Sequence, residues 1–171
     1  MDNPQIQSIL QGLGERVPPA SRLWLTGGSA LVLLGSPRLT IDIDFIGDDV
    51  SPSELDKTIM QIAKELKISM DPVPLERFIP LPAGSAERSI RIGQFGNLEV
   101  YVTDPYSIAL SKLDRGFDTD LDDIVFLVQD GFVRMDELER ITQASLSKAK
   151  DLDINPNDLL AHLEIVRQRL K

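Results

Sequence analysis

Cysteine is absent from this 171-residue chain, so disulfides and thiolate metal sites are both ruled out. No run of eighteen apolar residues occurs, which argues against a membrane-spanning helix. The opening Met1-Asp2-Asn3-Pro4-Gln5 lacks the basic and apolar regions of a secretory signal, so a cytoplasmic protein is expected. Basic residues are in the minority, 18 Lys and Arg against 27 Asp and Glu, for a formal net charge of −9. Autonomous DNA or RNA binding is therefore not expected, because neutralising phosphates needs a concentration of cations. A local basic patch stays compatible with that balance. The one histidine, His162, lies near an apolar helical stripe without a partner that would make it a ligand.

What is present is enough for a core: 42% of the residues are hydrophobic. Ile6, Ile9, Leu10 and Leu13 recur at helical spacing over Pro4 to Leu13, and Gly14 can end that helix. Leu23-Trp24-Leu25-Thr26 reads as a short strand that stops at Gly27-Gly28. Ser29 can cap a helix through Leu34, with Gly35 at its end. A second strand is expected from Leu39 to Ile46, then an amphipathic helix from Pro52 to Leu66. Four prolines between Asp71 and Ala86 resist long regular structure, leaving an irregular excursion with a short edge strand near Ile68 to Met70. Arg88 to Phe95 and Leu98 to Thr103 read as strands joined at Gly96-Asn97. Trp24 and Phe45 read as core.

From Asp104 onward the pattern is helical. Asp104 caps a helix with Pro105 at its first position, and Asp118 or Thr119 caps another. Met135 to about Leu146 forms a third, and Asn155-Pro156 opens the last, with Leu159, Leu163, Val166 and Leu170 aligned. The expected architecture is α+β. Residues 1–104 form a small mixed sheet flanked by helices, and residues 105–171 form a helical part packed on it, or the whole chain is one domain.

The chemistry concentrates between Leu25 and Ile46. In a strand, alternate residues share a face, so Asp42 and Asp44 point one way while Ile41, Ile43 and Phe45 point the other. Carboxylates roughly 6–7 Å apart at the Cα atoms, twice the strand rise, can share one or two hard cations such as Mg²⁺ or Mn²⁺. Gly27-Gly28-Ser29 follows a strand and opens a helix, where backbone N–H groups receive phosphate oxygens. Glycine permits close approach, and the Ser29 hydroxyl can donate. Arg38 can neutralise a phosphate or pair with surface carboxylates.

Gly27-Gly28-Ser29 followed by Asp42-Ile43-Asp44 resembles the signature of the DNA polymerase β-like nucleotidyltransferase superfamily. The Arg38-x-Thr40-x-Asp42-x-Asp44 form is similar to its bacterial branch of abortive-infection (type IV toxin–antitoxin) nucleotidyltransferases and their uncharacterised relatives. Two later segments match that branch as well: the helix Ser107 to Leu113 with Lys112, and Arg115 with Asp120-Leu121-Asp122-Asp123. The resemblance covers roughly Leu23 to Val128. It implies a nucleotidyltransferase fold that moves a nucleoside monophosphate from an NTP to an RNA or protein acceptor. It also implies that Asp42 and Asp44 hold Mg²⁺ and that the Gly27-Gly28-Ser29 turn, with Arg38 and Thr40, holds phosphate. Lys112 would contact phosphate or base, and Asp120 or Asp123 would position it or the acceptor. Active members of the superfamily carry a third carboxylate on a later strand, and Glu99 is the best candidate, pointing away from the apolar face of Leu98, Val100 and Val102.

Two classes of function follow. The leading one is an Mg²⁺-dependent nucleotidyltransferase, with the toxin of a toxin–antitoxin pair, its tRNA or protein acceptor and its cognate antitoxin as the form the resemblance implies. The other is a catalytically weak nucleotide-binding or partner-binding module on the same fold. A large RNA acceptor would be eased if Arg77, Arg88, Arg91, Lys112 and Arg115 gathered on one face.

Overall fold

Capping chemistry sets the first helix, α1 (Asn3–Gly14). The Asp2 carboxylate accepts from the Gln5 N–H, while the Gln5 side chain accepts from the Asp2 N–H. The computed structural model describes all 171 residues and contains two compact units, 1–74 with 89–103 and 75–88 with 104–171. The first holds β1 (Ser21–Thr26), α2 (Gly27–Leu33), β2 (Ile43–Ile46), α3 (Glu54–Leu66), β3 (Met70–Val73), β4 (Ile90–Phe95) and β5 (Leu98–Val102). The second holds α4 (Pro105–Arg115), α5 (Asp118–Gln129), α6 (Met135–Ala149) and α7 (Pro156–Arg169). The proline-rich excursion from Leu75 to Arg88 groups with these helices.

The five strands form one mixed sheet in the order β3-β2-β1-β5-β4. β1 runs antiparallel to β2 and parallel to β5, β2 is parallel to β3, and β4 is antiparallel to β5. Alternation divides the sheet into two faces. Leu23, Leu25, Ile43, Phe45, Met70, Leu98, Val100 and Val102 are buried on one, against α1 and α3. The register places Arg22, Trp24, Thr26, Asp44, Asp71, Glu99 and Tyr101 on the other. Phe45 is core as expected; Trp24 is not, and lies half-buried on this second face.

Three local departures from the sequence reading have physical causes. β2 begins at Ile43 rather than Leu39, because the Thr40 hydroxyl donates to the Asp42 carbonyl at 3.1 Å and lies 3.2 Å from its carboxylate, bending the chain out of the ladder. Ile41 therefore does not line the apolar face; it is 90% exposed. β3 runs through Pro72, further along than the strand expected at Ile68 to Met70. Ile43 and Gly47 of the neighbouring segment donate to the carbonyls of Ser69 and Val73. The even-numbered Pro72 thus turns its missing N–H to the sheet's outer edge, where no partner needs it. Finally, α5 is capped by Phe117 without a side-chain bond, rather than by Asp118 or Thr119.

In the second unit, α4 packs on α5, α6 and α7 through Ile108, Leu113, Leu121, Ile124, Leu138, Leu159 and Leu163, all buried. Asp104, fully buried, accepts from the Tyr106 N–H, the Ser107 hydroxyl and both arms of Arg88 at 2.7–3.1 Å. Such a charge is tolerable inside because every lone-pair direction is met. His162 is structural: its Nδ1 lies 2.6 Å from the Leu113 carbonyl, and its ring fills the space where a side chain at Gly116 would go.

Candidate active site

Asp44 on β2 stands in register with Thr26 of β1 on one side and with Asp71 of β3 on the other. Asp42, two residues upstream, points to the same side. Carboxylate oxygens of Asp42, Asp44 and Asp71 lie within 4.8 Å of one another. Three like charges so close repel in water, and a hard divalent cation is the counter-charge that suits an all-oxygen donor set. Asp42 and Asp44 are half-buried and Asp71 is exposed, so the group is open on one side.

The Gly-Gly turn closes another side. Gly27 has φ +61°, and a Cβ there would collide with the Asp44 carboxylate. A Cβ on Gly28 would sit 3.0 Å from Thr40 Oγ1 and 3.3 Å from the Arg38 guanidinium. Gly27, Gly28, Arg38, Thr40, Asp42 and Asp44 are therefore brought together. Thr40 is buried, its backbone N–H bonded to the Met1 carbonyl at 3.1 Å, which holds the bend that presents Asp42. Ser29 differs from the others. It is fully buried one turn into α2, and its hydroxyl donates back to the Thr26 carbonyl at 3.2 Å. In this arrangement it stiffens the turn.

Glu99 is not part of the carboxylate group. It lies opposite Arg22, four residues before Thr26 on β1, roughly 13 Å away along the strand. It pairs with Arg91 at 2.8 Å and Arg22 at 3.3 Å. The Arg91 guanidinium, then the Tyr101 hydroxyl, hold its carboxyl below the usual range. That is the opposite of the raised value a general base near neutrality requires. The third carboxylate beside Asp42 and Asp44 is Asp71, which the sequence reading passed over among prolines. The signal was topological. A strand–helix–strand unit returns its second strand parallel to the first and commonly beside it, so an aspartate on β3 can fall next to one on β2.

Lys112 is buried at 3% exposure, with Nζ 2.9 Å from Asp120 and 2.7 Å from Asp123. Arg115 adds a second cation to Asp120 at 2.5 Å. Burial would raise the Asp120 carboxyl, but hydrogen bonds from Arg115 and Lys112 outweigh it and keep the value low. The three predicted residues do meet, as a clamp joining α4 to α5. Arg88 is engaged by Asp104 and Lys112 by Asp120 and Asp123, while Arg91 sits on the sheet of the first unit.

A mixed sheet with an aspartate cluster beside a Gly-Gly strand–helix turn has the form of a nucleotidyltransferase core. The chain matches, over residues 5–170, the profile of a family described as nucleotidyltransferase of unknown function (DUF6036), and it belongs to that family. No curated protein and no solved structure matches it significantly. No helix is long and apolar enough to cross a membrane.

Proposed function

We propose that the protein transfers a nucleoside monophosphate from an NTP to an acceptor hydroxyl with release of pyrophosphate, using Asp42, Asp44 and Asp71 as its cation site. The observation that carries this reading is the convergence of those three carboxylates against the Gly27-Gly28 turn. Mg²⁺ or Mn²⁺ held there would supply Lewis-acid polarisation of the phosphoryl oxygens. Around it, the side-chain-free turn lets phosphate oxygens approach backbone N–H groups, and Arg38 beside Gly28 adds positive charge. Asp71, exposed on the outer strand, orients the acceptor hydroxyl and takes its proton. Lys112, Asp120 and Asp123 act in this reading through the fold of the helical unit rather than on the nucleotide. The Arg38-x-Thr40-x-Asp42-x-Asp44 spacing supports a place among toxin-like members with a cognate antitoxin.

One comparison tests the reaction. Each α-labelled NTP is incubated with Mg²⁺, total RNA or protein, and either the wild-type chain or Asp44→Ala. Label should pass to acceptor with the wild type and fall at least about 100-fold in the variant, as loss of a metal-held charge does. The burial of Lys112 favours a second reading, a module that binds nucleotide without turnover; NTP binding without transfer would select it. No NTP binding at all would overturn both.

A further inference from the structure

The face of the sheet that carries Asp44 and Asp71 also carries an aromatic stack that the reaction does not use. Trp24 on β1 and Tyr101 on β5 are paired in register. Their rings lie 5.2 Å apart and only 14° from parallel. Neither is buried. On this side of a sheet, two large rings facing outward leave apolar surface in water that a flat stacked partner would cover.

Their surroundings define that partner. Arg22 and Arg91 flank the stack, with side chains 63% and 55% exposed, and share the single carboxylate of Glu99. The patch carries two cations to one anion on a chain whose overall charge is −9. Trp24 and Arg22 also line a groove of about 520 Å³ beside β1, with Pro18, Ala20, Leu55, Thr58 and Glu54, the last a carboxylate already paired with Lys57 at 2.7 Å. That volume is in the range of small-ligand sites, and the lining is apolar with a few polar groups. A flat, π-faced, anionic ligand fits it. Along β1, Trp24 is two residues from Thr26, the residue in register with Asp44, or roughly 7 Å.

We infer that this groove seats a nucleobase of a single-stranded nucleic-acid acceptor. The base extends the Trp24–Tyr101 stack, and its phosphates meet Arg22 and Arg91, delivering the strand's end toward the carboxylates. The inference rests on the transferase reading and names its acceptor class. Stacking is indifferent to which base it holds, so it fits a site that grips a strand without reading sequence.

Trp24 is the only tryptophan of the chain, so its emission reports this site alone. The test uses the full chain in EDTA, titrated with a short oligoribonucleotide, an abasic oligomer of equal length, and each NTP. Anisotropy of the labelled oligomer is followed in parallel. The base-bearing oligomer should quench Trp24 and bind, and the abasic one should do neither to the same extent. Tyr101→Ala should weaken binding about 5- to 150-fold, the range for one lost stacking ring, and Tyr101→Phe should restore it. Equal binding of the abasic oligomer, no binding of either, or quenching by NTP without oligomer binding would each overturn the proposal. Asp44→Ala should leave the quench intact, so failure of the transfer reaction and failure of this site are read separately.

Discussion

Asp44 and Asp71 face one another across the parallel β2–β3 pair, with Asp42 close enough that all three carboxylates fit within 4.8 Å. Without a cation this register concentrates repulsion; with one it becomes a ligand set. On the reading proposed above, folding and cation binding would be linked, and the linkage can be measured apart from any reaction.

Asp71→Asn tests it. The variant removes one repelling charge, so without divalent ions it should unfold at the same or slightly higher temperature than the wild type. Saturating Mg²⁺ should raise the wild-type melting temperature, by about 2.7 kcal/mol of stability at a hundred times Kd, and barely move the variant. Glu99→Gln should keep the Mg²⁺ response. Scanning fluorimetry with and without Mg²⁺ decides it, and an equal Mg²⁺ shift in both aspartate and asparagine forms would remove Asp71 from the site.

Gly27→Ala places a methyl group on the Asp44 carboxylate at a positive φ. The left-handed conformation costs about 1 kcal/mol for a side chain, and the collision adds displacement of Asp44. Transfer should fall at least tenfold, with a smaller loss at Gly35→Ala, where φ is also positive but no atom lies within 4 Å. Parallel label-transfer and melting curves separate the two effects.

Lys112→Met leaves Asp120 and Asp123 buried without that cation. Removing one partner of a buried ion pair costs about 3–5 kcal/mol, and urea unfolding should show a loss of that size. Replacing the whole group with Lys112→Met, Asp120→Asn and Asp123→Asn together should recover part of it. A single variant as stable as the wild type would show that the clamp contributes little.

Asp120 also sets a pH dependence. Its carboxyl is held below the ordinary value in the folded chain, so folding is favoured by the ionised form. That contribution is complete above the unfolded value of about 3.9 and disappears as pH falls through the lower folded value. The stability gap between wild type and Asp120→Asn should therefore be flat from pH 7 to 5 and close below about pH 4. A gap that widened on acidification would reverse the assignment.

Much of this was legible in the residues. Asp42 and Asp44 do share a side, though the Thr40 bend rather than strand alternation carries Asp42 there, and the Gly27-Gly28 turn fell where a strand meets a helix. Capping residues marked α4 and α7, and apolar spacing marked α1. The sheet's far partners were harder. Glu99 had the right face but the wrong end of its strand, since alternation fixes direction and not register. Trp24 looked like core because hydrophobicity does not say which side of a sheet is covered. Asp71 was hidden because proline argues against a strand in general, whereas it argues only against a paired edge.

Pro72 has one more effect. An outer strand with free donors invites another chain to add itself. Here the residue beside Asp71 offers none, which discourages a foreign strand from zipping along β3 and burying the carboxylate under a dimer. The flank of the sheet nearest Asp71 is kept as a doorway.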